Sequence, residues 1–273
     1  MCCTAILNVF LCVMKQTFLL IACILFSFEA YNQTYRLIAH RGGVVDSVHA
    51  ENSLPALEAA VKQGYWMTEI DLRLTKDGVF ILQHDRSFKD HFGVDKPATA
   101  MTWEEIRKLK HHQTGSGVIT LEEALRTCRG KMQVMIDNKI AGNDTVMFSQ
   151  VIRLLKKYNL LEQALMIGTD ESTPYFTGKI KLSCTRQQLE DNKKKAGFKP
   201  GHYYLFGGTD SMTAEDVAWA AREGIMVVAA VNRFHYRDVK NPDEAVAADV
   251  ETLKSWGVRY FQIDSEFSRY FRK

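Results

Sequence analysis

Beyond its first thirty residues the chain has almost no cysteine. Four of the six (Cys2, Cys3, Cys12, Cys23) lie in that leader, and the remainder keeps only Cys128 and Cys184. Two such residues supply neither a disulfide framework nor the spacing of a zinc site. Both fall in apolar surroundings, so buried free thiols are expected, with a bridge as the alternative. Excess charge is also lacking: 35 basic against 32 acidic residues leave +3. That balance gives no argument for nucleic acid or an anionic membrane as partner. Lys193-Lys194-Lys195 is the single tight basic run, and it reads as a solvated helix face. No low-complexity linker and no close repeat of fixed period interrupts the chain from Tyr35 to Lys273. A glycine-rich dinucleotide turn is missing too, which counts against a doubly wound nucleotide-binding sheet.

A long apolar run is present, but only at the start. Ala5 to Phe28 is almost wholly apolar. Translation from Met14 would make Met14-Lys15 a short basic region and Phe18 to Phe28 the apolar core of a secretory signal. Ala30 suits the last position before cleavage, although Phe28, two residues earlier, is bulky. Leu20-Ile21-Ala22-Cys23 has the form of a bacterial lipoprotein box, with the apolar run after Cys23 against it. Counted from near Met1, the stretch approaches membrane-spanning length. Residues 1–30 are therefore expected to be a leader, and the protein to be exported to a periplasmic or extracellular location. A lipidated cysteine or a retained anchor is the alternative, and the membrane is expected as a partner only through this segment. Residues 31–273, about 240 in number, match the usual size of one eight-fold α/β barrel.

Through that domain short β-branched runs alternate with amphipathic ones. Strands are expected at Arg36–His40, Met67–Asp71, Gln133–Asp137, Ala164–Gly168, Ile180–Cys184, Tyr203–Phe206, Met226–Val231 and Tyr260–Ile263. Helices are expected at Ser53–Gly64, Leu121–Arg129, Thr145–Tyr158, Gln187–Ala196, Thr213–Glu223 and Asp243–Trp256. Thr213 with Asp216 forms a capping box, and Gly64, Gly224 and Gly257 each follow a helix where a left-handed residue stops it. This alternation predicts a TIM (β/α)₈ barrel. One segment breaks the pattern. The second strand runs on to Thr75, turns at Lys76-Asp77-Gly78 and returns over Val79–His84, which predicts an antiparallel hairpin extension. A two-residue Asp77-Gly78 loop would set Asp71 opposite His84. Residues 86–120, with a helical piece at Trp103–Lys110, are read as an insertion over the barrel mouth.

The chemistry gathers between Leu37 and Asp85. Glu69 and Asp71 alternate on a strand, so both carboxylates share a face, and Asp137 with Lys139 repeats the arrangement on the next barrel strand. Three carboxylates at one mouth repel unless a cation compensates, and an all-oxygen set suits a hard divalent ion, Mg²⁺ or Ca²⁺. Pairing with a barrel arginine or lysine is the plainer reading for any one of them. His40 ends the first strand and precedes Arg41-Gly42-Gly43, where backbone amides and a planar guanidinium suit phosphate. His84 closes the returning hairpin strand. A lone strand-end histidine is more often structural. Together, flanking a phosphodiester, one imidazole can accept a proton from the attacking group while the other protonates the leaving alkoxide.

These blocks resemble the glycerophosphodiester phosphodiesterases. The family pattern of His-Arg-Gly, Glu-Asn-Thr, Glu-x-Asp, Thr-Lys-Asp-Gly and His-Asp is met in order. It stands here as His40-Arg41-Gly42, Glu51-Asn52-Ser53, Glu69-Ile70-Asp71, Thr75-Lys76-Asp77-Gly78 and His84-Asp85. Leu121-Glu122-Glu123-Ala124-Leu125 also resembles the family helix before the third barrel strand, and the likeness weakens after about residue 140. The resemblance implies a metal-dependent hydrolase releasing glycerol 3-phosphate and an alcohol from a small glycerophosphodiester. By position, His40 and His84 would be the acid/base pair, and Glu69 and Asp71 would hold one Mg²⁺ or Ca²⁺. Arg41, with Lys139, would bind phosphate and substrate. The family's third metal acid, a Glu in Glu-x-Lys, is Asp137-Asn138-Lys139 here, one methylene shorter. Its Trp-Thr-Val-Asn is Ala229-Ala230-Val231-Asn232, its Ser-Phe near the fourth strand is Gly168-Thr169, and its Thr-Asp-x-Pro is Ile263-Asp264-Ser265-Glu266. These changes leave the reaction class and put the alcohol in question.

His49, His91, His111, His112, His202 and His235 match no family position and read as surface or core. Phe88, Phe92, Tyr203, Tyr204, Phe206 and Phe234 read as packing before pocket wall. Two other functions stay open: a phospholipase of D or C type on the same fold, and a barrel that binds a phosphodiester without cleaving it. The first would show an apolar rim on the insertion, which is polar in sequence.

Overall fold

A computed structural model describes residues 35–271, so the leader expected at 1–30, its four cysteines and the export signal lie outside the described residues. From Arg36 onward the chain forms one unit. Its sheet begins with β1 (Arg36–Ala39), which pairs in parallel with β2 (Met67–Leu74) on one side. The hairpin partner β3 (Phe80–Leu82) and the short antiparallel pair β4 (Ser87–Phe88) and β5 (Val94–Pro97) follow. Then come β6 (Gln133–Asn138), β7 (Leu165–Ile167), β8 (Lys181–Cys184), β9 (Tyr203–Gly207), β10 (Met226–Val231) and β11 (Tyr260–Ile263). The parallel order runs β1, β11, β10, β9, β8, β7, β6, β2 and back to β1, which closes an eight-stranded barrel. Every barrel strand falls within two or three residues of its expected place.

The helices between the strands start where the sequence supplies caps. Thr120 with Glu123, and Thr213 with Asp216, form reciprocal capping boxes at the helices Leu121–Cys128 and Ala214–Arg222. Among the described residues no helix is long and apolar enough to cross a membrane. Cys128 and Cys184 are buried free thiols, as expected.

Inside the barrel, Ile38, Met67, Met135, Leu165, Tyr204 and Val228 form one buried cluster. Glu69 and Asp71 follow Met67 on the same face of β2, and Asp137 follows Met135 on β6, so the acids stand above this apolar floor toward the C-terminal mouth. The floor excludes water from below, and the acids receive none of its compensation.

The hairpin forms, but its register differs from expectation by one residue. Leu72 faces Leu82, Arg73 faces Ile81 and Leu74 faces Phe80, so Asp71 lies opposite Gln83 rather than His84. The Gln83 amide donates to the Asp71 carbonyl at 3.0 Å. The reason is a three-residue loop. Thr75 takes the Val79 amide on its side chain (2.9 Å) and the Gly78 amide on its carbonyl (3.1 Å), with Gly78 left-handed at φ +81°. The insertion is also unlike its polar sequence. Phe88, Ala98, Met101, Ile106 and Val118 pack inward on Ile81 of β3, forming a second small core.

Candidate active site

The first wall of the site is the turn after β1. His40, Arg41 and Gly42 make a tight helical turn in which Arg41 is left-handed (φ +53°), a conformation costly for a residue with a Cβ. Gly42 and Gly43 continue it at φ +79° and +137°. A Cβ on Gly43 would lie 2.2 Å from the Ala56 carbonyl oxygen, and one on Gly42 would lie 2.6 Å from Asn52 Cα. Glycine is therefore required by the close packing of this turn against residues 52–57. The result aims the Arg41 amide at Glu69 Oε2, 2.8 Å away.

Both histidines of the site are held the same way. His40 Nδ1 lies 2.7 Å from Asp264 Oδ1, and His84 Nδ1 lies 2.8 Å from Asp85 Oδ1. A carboxylate at Nδ1 favours a ring proton there, which leaves Nε2 of each histidine turned toward the rest of the site. Arg41 Nη2 stands 3.4 Å from His84 Nε2, consistent with a lone pair on that nitrogen, since arginine only donates. His40 Nε2 faces Glu69 Oε2 at 3.9 Å. Arg73 donates to the Gln83 and His84 carbonyls at 3.0 and 2.6 Å, fixing the backbone that carries His84. The barrel thus brings His40, Arg41 and His84 together although the predicted pairing of His84 with Asp71 is absent.

Oxygen atoms of Glu69, Asp71 and Asp137 lie within 4.8 Å of one another. Burial, followed by the charges of Asp71 and Asp137, pushes the Glu69 carboxyl well above the usual carboxylate range. Burial likewise raises Asp137. Lys139 Nζ sits 2.5 Å from Asp137 and 3.3 Å from Asp71. Burial pulls the Lys139 ammonium down, but the charges of Asp137 and Asp71 outweigh it and raise the group overall. One lysine cannot neutralise three carboxylates, and the unmet charge shows in the raised Glu69. This all-oxygen set fits a hard divalent cation. The shorter side chain of Asp137 still reaches the cluster.

Several neighbours did more than the sequence reading assigned to them. Asn52 donates to Asp71 Oδ2 (2.8 Å) and accepts the Asp71 amide (3.2 Å), so the Glu-Asn block orients one acid of the cluster. Glu51 pairs with Arg41 at 2.7 Å. Burial opposes the Arg41 charge, yet Glu51 keeps its pKa raised. Asp264 stands in a motif position to which the sequence alone gives no role. Burial would raise its carboxyl, but His40 and the Arg233 amide hold it below the usual range. Its signal was positional: Ala39 pairs with Ile263, so the residues after them, His40 and Asp264, are neighbours. Of the six unassigned histidines, His91 lies 3.6 Å from Asp85 and stacks on His111, and His49 bonds Asp46 at 2.9 Å. Of the six aromatics, Phe234 lines a cavity beside His40 and Arg41, while Phe88 is fully buried in the insertion. That cavity, about 490 Å³, opens from His40 and Arg41 toward the turn after β10.

The family profile described as "Glycerophosphoryl diester phosphodiesterase family" matches residues 40–197. The chain is 36% identical over 107 residues to "Probable glycerophosphodiester phosphodiesterase 2" of Mycobacterium tuberculosis, covering 38% of this chain and 39% of that protein. It is 35% identical over 71 residues to mouse "Lysophospholipase D GDPD3", covering 26% of this chain and 21% of that one. The matched stretches therefore span two fifths or less of these relatives. Among solved structures, a glycerophosphoryl diester phosphodiesterase from Parabacteroides distasonis superposes with a TM-score of 0.71 at 22% identity, over 88% of this chain and 87% of that one. An Oleispira antarctica phosphodiesterase, solved with the product sn-glycerol-3-phosphate, gives 0.66 at 17% identity over 88% and 98%. At such identities the superpositions show the fold. With the profile match covering more than half of the chain, and the ordered motif blocks meeting at one barrel mouth, the chain belongs to the glycerophosphoryl diester phosphodiesterase family.

Proposed function

We propose that the protein hydrolyses glycerophosphodiesters to glycerol 3-phosphate and a free alcohol, with His40 and His84 as the proton-handling pair. One observation carries this reading: two imidazoles, each fixed at Nδ1 by its own carboxylate, share a barrel mouth with Arg41 and a three-carboxylate cluster. A phosphodiester held by Arg41 would present its phosphorus to both Nε2 atoms. One imidazole accepts the proton of the attacking hydroxyl or water as the new P–O bond forms. The other gives its proton to the alkoxide as the old P–O bond breaks. Glu69, Asp71 and Asp137 are the residues that would hold a single Mg²⁺ or Ca²⁺. Such an ion supplies charge stabilisation to the phosphoryl oxygens. Arg41 and Lys139 add fixed positive charge beside them. Export of the protein, from the apolar leader, belongs to the same proposal.

Release of glycerol 3-phosphate from glycerophosphocholine, followed for wild type, His40→Ala and His84→Ala, tests the reading. Each variant should lose about 10²- to 10⁴-fold in kcat. Wild-type activity in both variants, or a folded protein that binds the diester and never turns it over, would remove it in favour of a non-catalytic barrel.

A lipid substrate is the second reading, and one observation favours it. The exposed Val48, on the turn after β1, and Phe234 and Val239, after β10, lie on the two loops that border the cavity. The apolar rim sought on the insertion is thus on other loops. Faster release of alcohol from a lysophospholipid than from its deacylated counterpart would favour this reading.

A further inference from the structure

The cavity beside His40 and Arg41 is walled on its far side by the turn after β10 and the segment after β11, both beyond the residues matched to the family. Four carboxylates and three arginines line it, and nearly all of them are already engaged. Asp46 accepts the Val48 and His49 amides and the His49 ring, each at 2.9 Å. Glu51 takes Arg41, and Asp264 takes His40 and the Arg233 amide. Glu266 is gripped by both ends of the Arg233 fork. Even the Ser265 hydroxyl is closed on the Val45 backbone, at 2.9 and 3.1 Å. Among the described residues, Arg237 alone of these charged side chains has no ion pair or hydrogen bond. Its guanidinium is exposed on the wall that Phe234 shares.

Such a wall discriminates by what it leaves unspent. Each carboxylate of this wall already holds at least one hydrogen bond, whereas an anionic head group meets in Arg237 a guanidinium with its full set of donors. Resting on the hydrolase reading above, we propose that Arg237 binds a second anionic group, phosphate or carboxylate, on the alcohol half of the substrate. The preferred substrates are then glycerophosphodiesters whose alcohol is itself an acid, rather than those of choline or ethanolamine.

A matched pair of substrates tests this on the full chain: glycerophosphoinositol and glycerophosphoinositol 4-phosphate, which differ by one phosphate. Glycerophosphoserine reports a carboxylate in its place. For wild type, kcat/KM should favour the phosphorylated member by about 5- to 10-fold at low salt, shrinking as salt rises. In Arg237→Gln the ratio should fall to near one, and Arg237→Lys should restore part of it. A wild-type ratio of one, or a preference that survives Arg237→Gln, overturns the proposal. The same pair is titrated onto His40→Ala, with Arg237 intact and replaced, so that affinity is read without turnover. Discrimination in binding that depends on Arg237, with no cleavage by wild type, would sink the hydrolase reading and leave the anion site. Cleavage without discrimination would sink the anion site alone.

Discussion

Asp264 and Asp85 each hold the Nδ1 of one histidine of the proposed pair, His40 and His84. Replacing Asp264 by Asn keeps the shape and offers His40 Nδ1 an amide whose donor end stabilises the wrong tautomer. Asp264→Asn should lower kcat by about 10²-fold or more with KM near wild type, because general acid–base work of this size is at stake. Steady-state kinetics over the glycerophosphocholine reaction would check it; an unchanged kcat would mean His40 needs no fixed orientation. The thiols provide a residue-scale contrast. Burial pushes Cys128 up to about 12 and Cys184 up to about 11. Neither should be alkylated by iodoacetamide at neutral pH in the folded chain, and both should react in denaturant, since the thiolate is the nucleophile. Mass spectrometry of tryptic fragments gives the answer.

At the scale of elements, the strands were legible because buried β-branched runs and helix caps are local signals. Hairpin register was not. Whether Thr75 closes the loop or stands in the strand depends on its side chain capturing the Val79 amide, and pattern alone does not show that. The same limit explains the site. Glu69 and Asp71 could be placed together because they share one strand. Asp264, 224 positions from His40, could be joined to it only by closing the barrel. The polar composition of residues 86–120 hid a small core for a related reason: its apolar side chains are spaced irregularly, across turns and short elements. The glycine turn after β1 carries its own test. Gly43→Ala drives a Cβ into the Ala56 carbonyl, which cannot swing aside, and should cost about 1–3 kcal/mol in urea unfolding. Gly42→Ala presses instead on Asn52, the residue that holds Asp71. It should lose more activity and metal affinity than its stability loss accounts for. Equal losses in both properties would count against a role for Asn52.

Across the whole molecule the acid cluster links folding, pH and metal. The folded-state carboxyl of Glu69 lies above its ordinary value of 4.5, and Asp137 above its ordinary 3.8. Both groups therefore hold protons in the folded chain that the unfolded chain releases. Their contribution to stability is complete below those ordinary values and is lost as pH rises through the raised ones. Without a divalent ion, Tm should fall as pH rises above the ordinary carboxylate range, and by more than it does in Glu69→Gln. Mg²⁺ or Ca²⁺ binds the ionised acids, so its stabilisation should grow over the same range. Differential scanning fluorimetry with and without metal reads both trends.

Whether Glu69, Asp71 and Asp137 serve a metal-dependent phosphodiester hydrolase is tested by stripping and restoring the ion. Full-length protein is treated with EDTA, freed of it, and assayed for glycerol 3-phosphate release as Mg²⁺ or Ca²⁺ is added back. Activity should disappear on stripping and return with at least one of the two ions, and Glu69→Gln should be rescued by neither. Undiminished release by the stripped, folded protein, or a wild-type rate in Glu69→Gln, would contradict it.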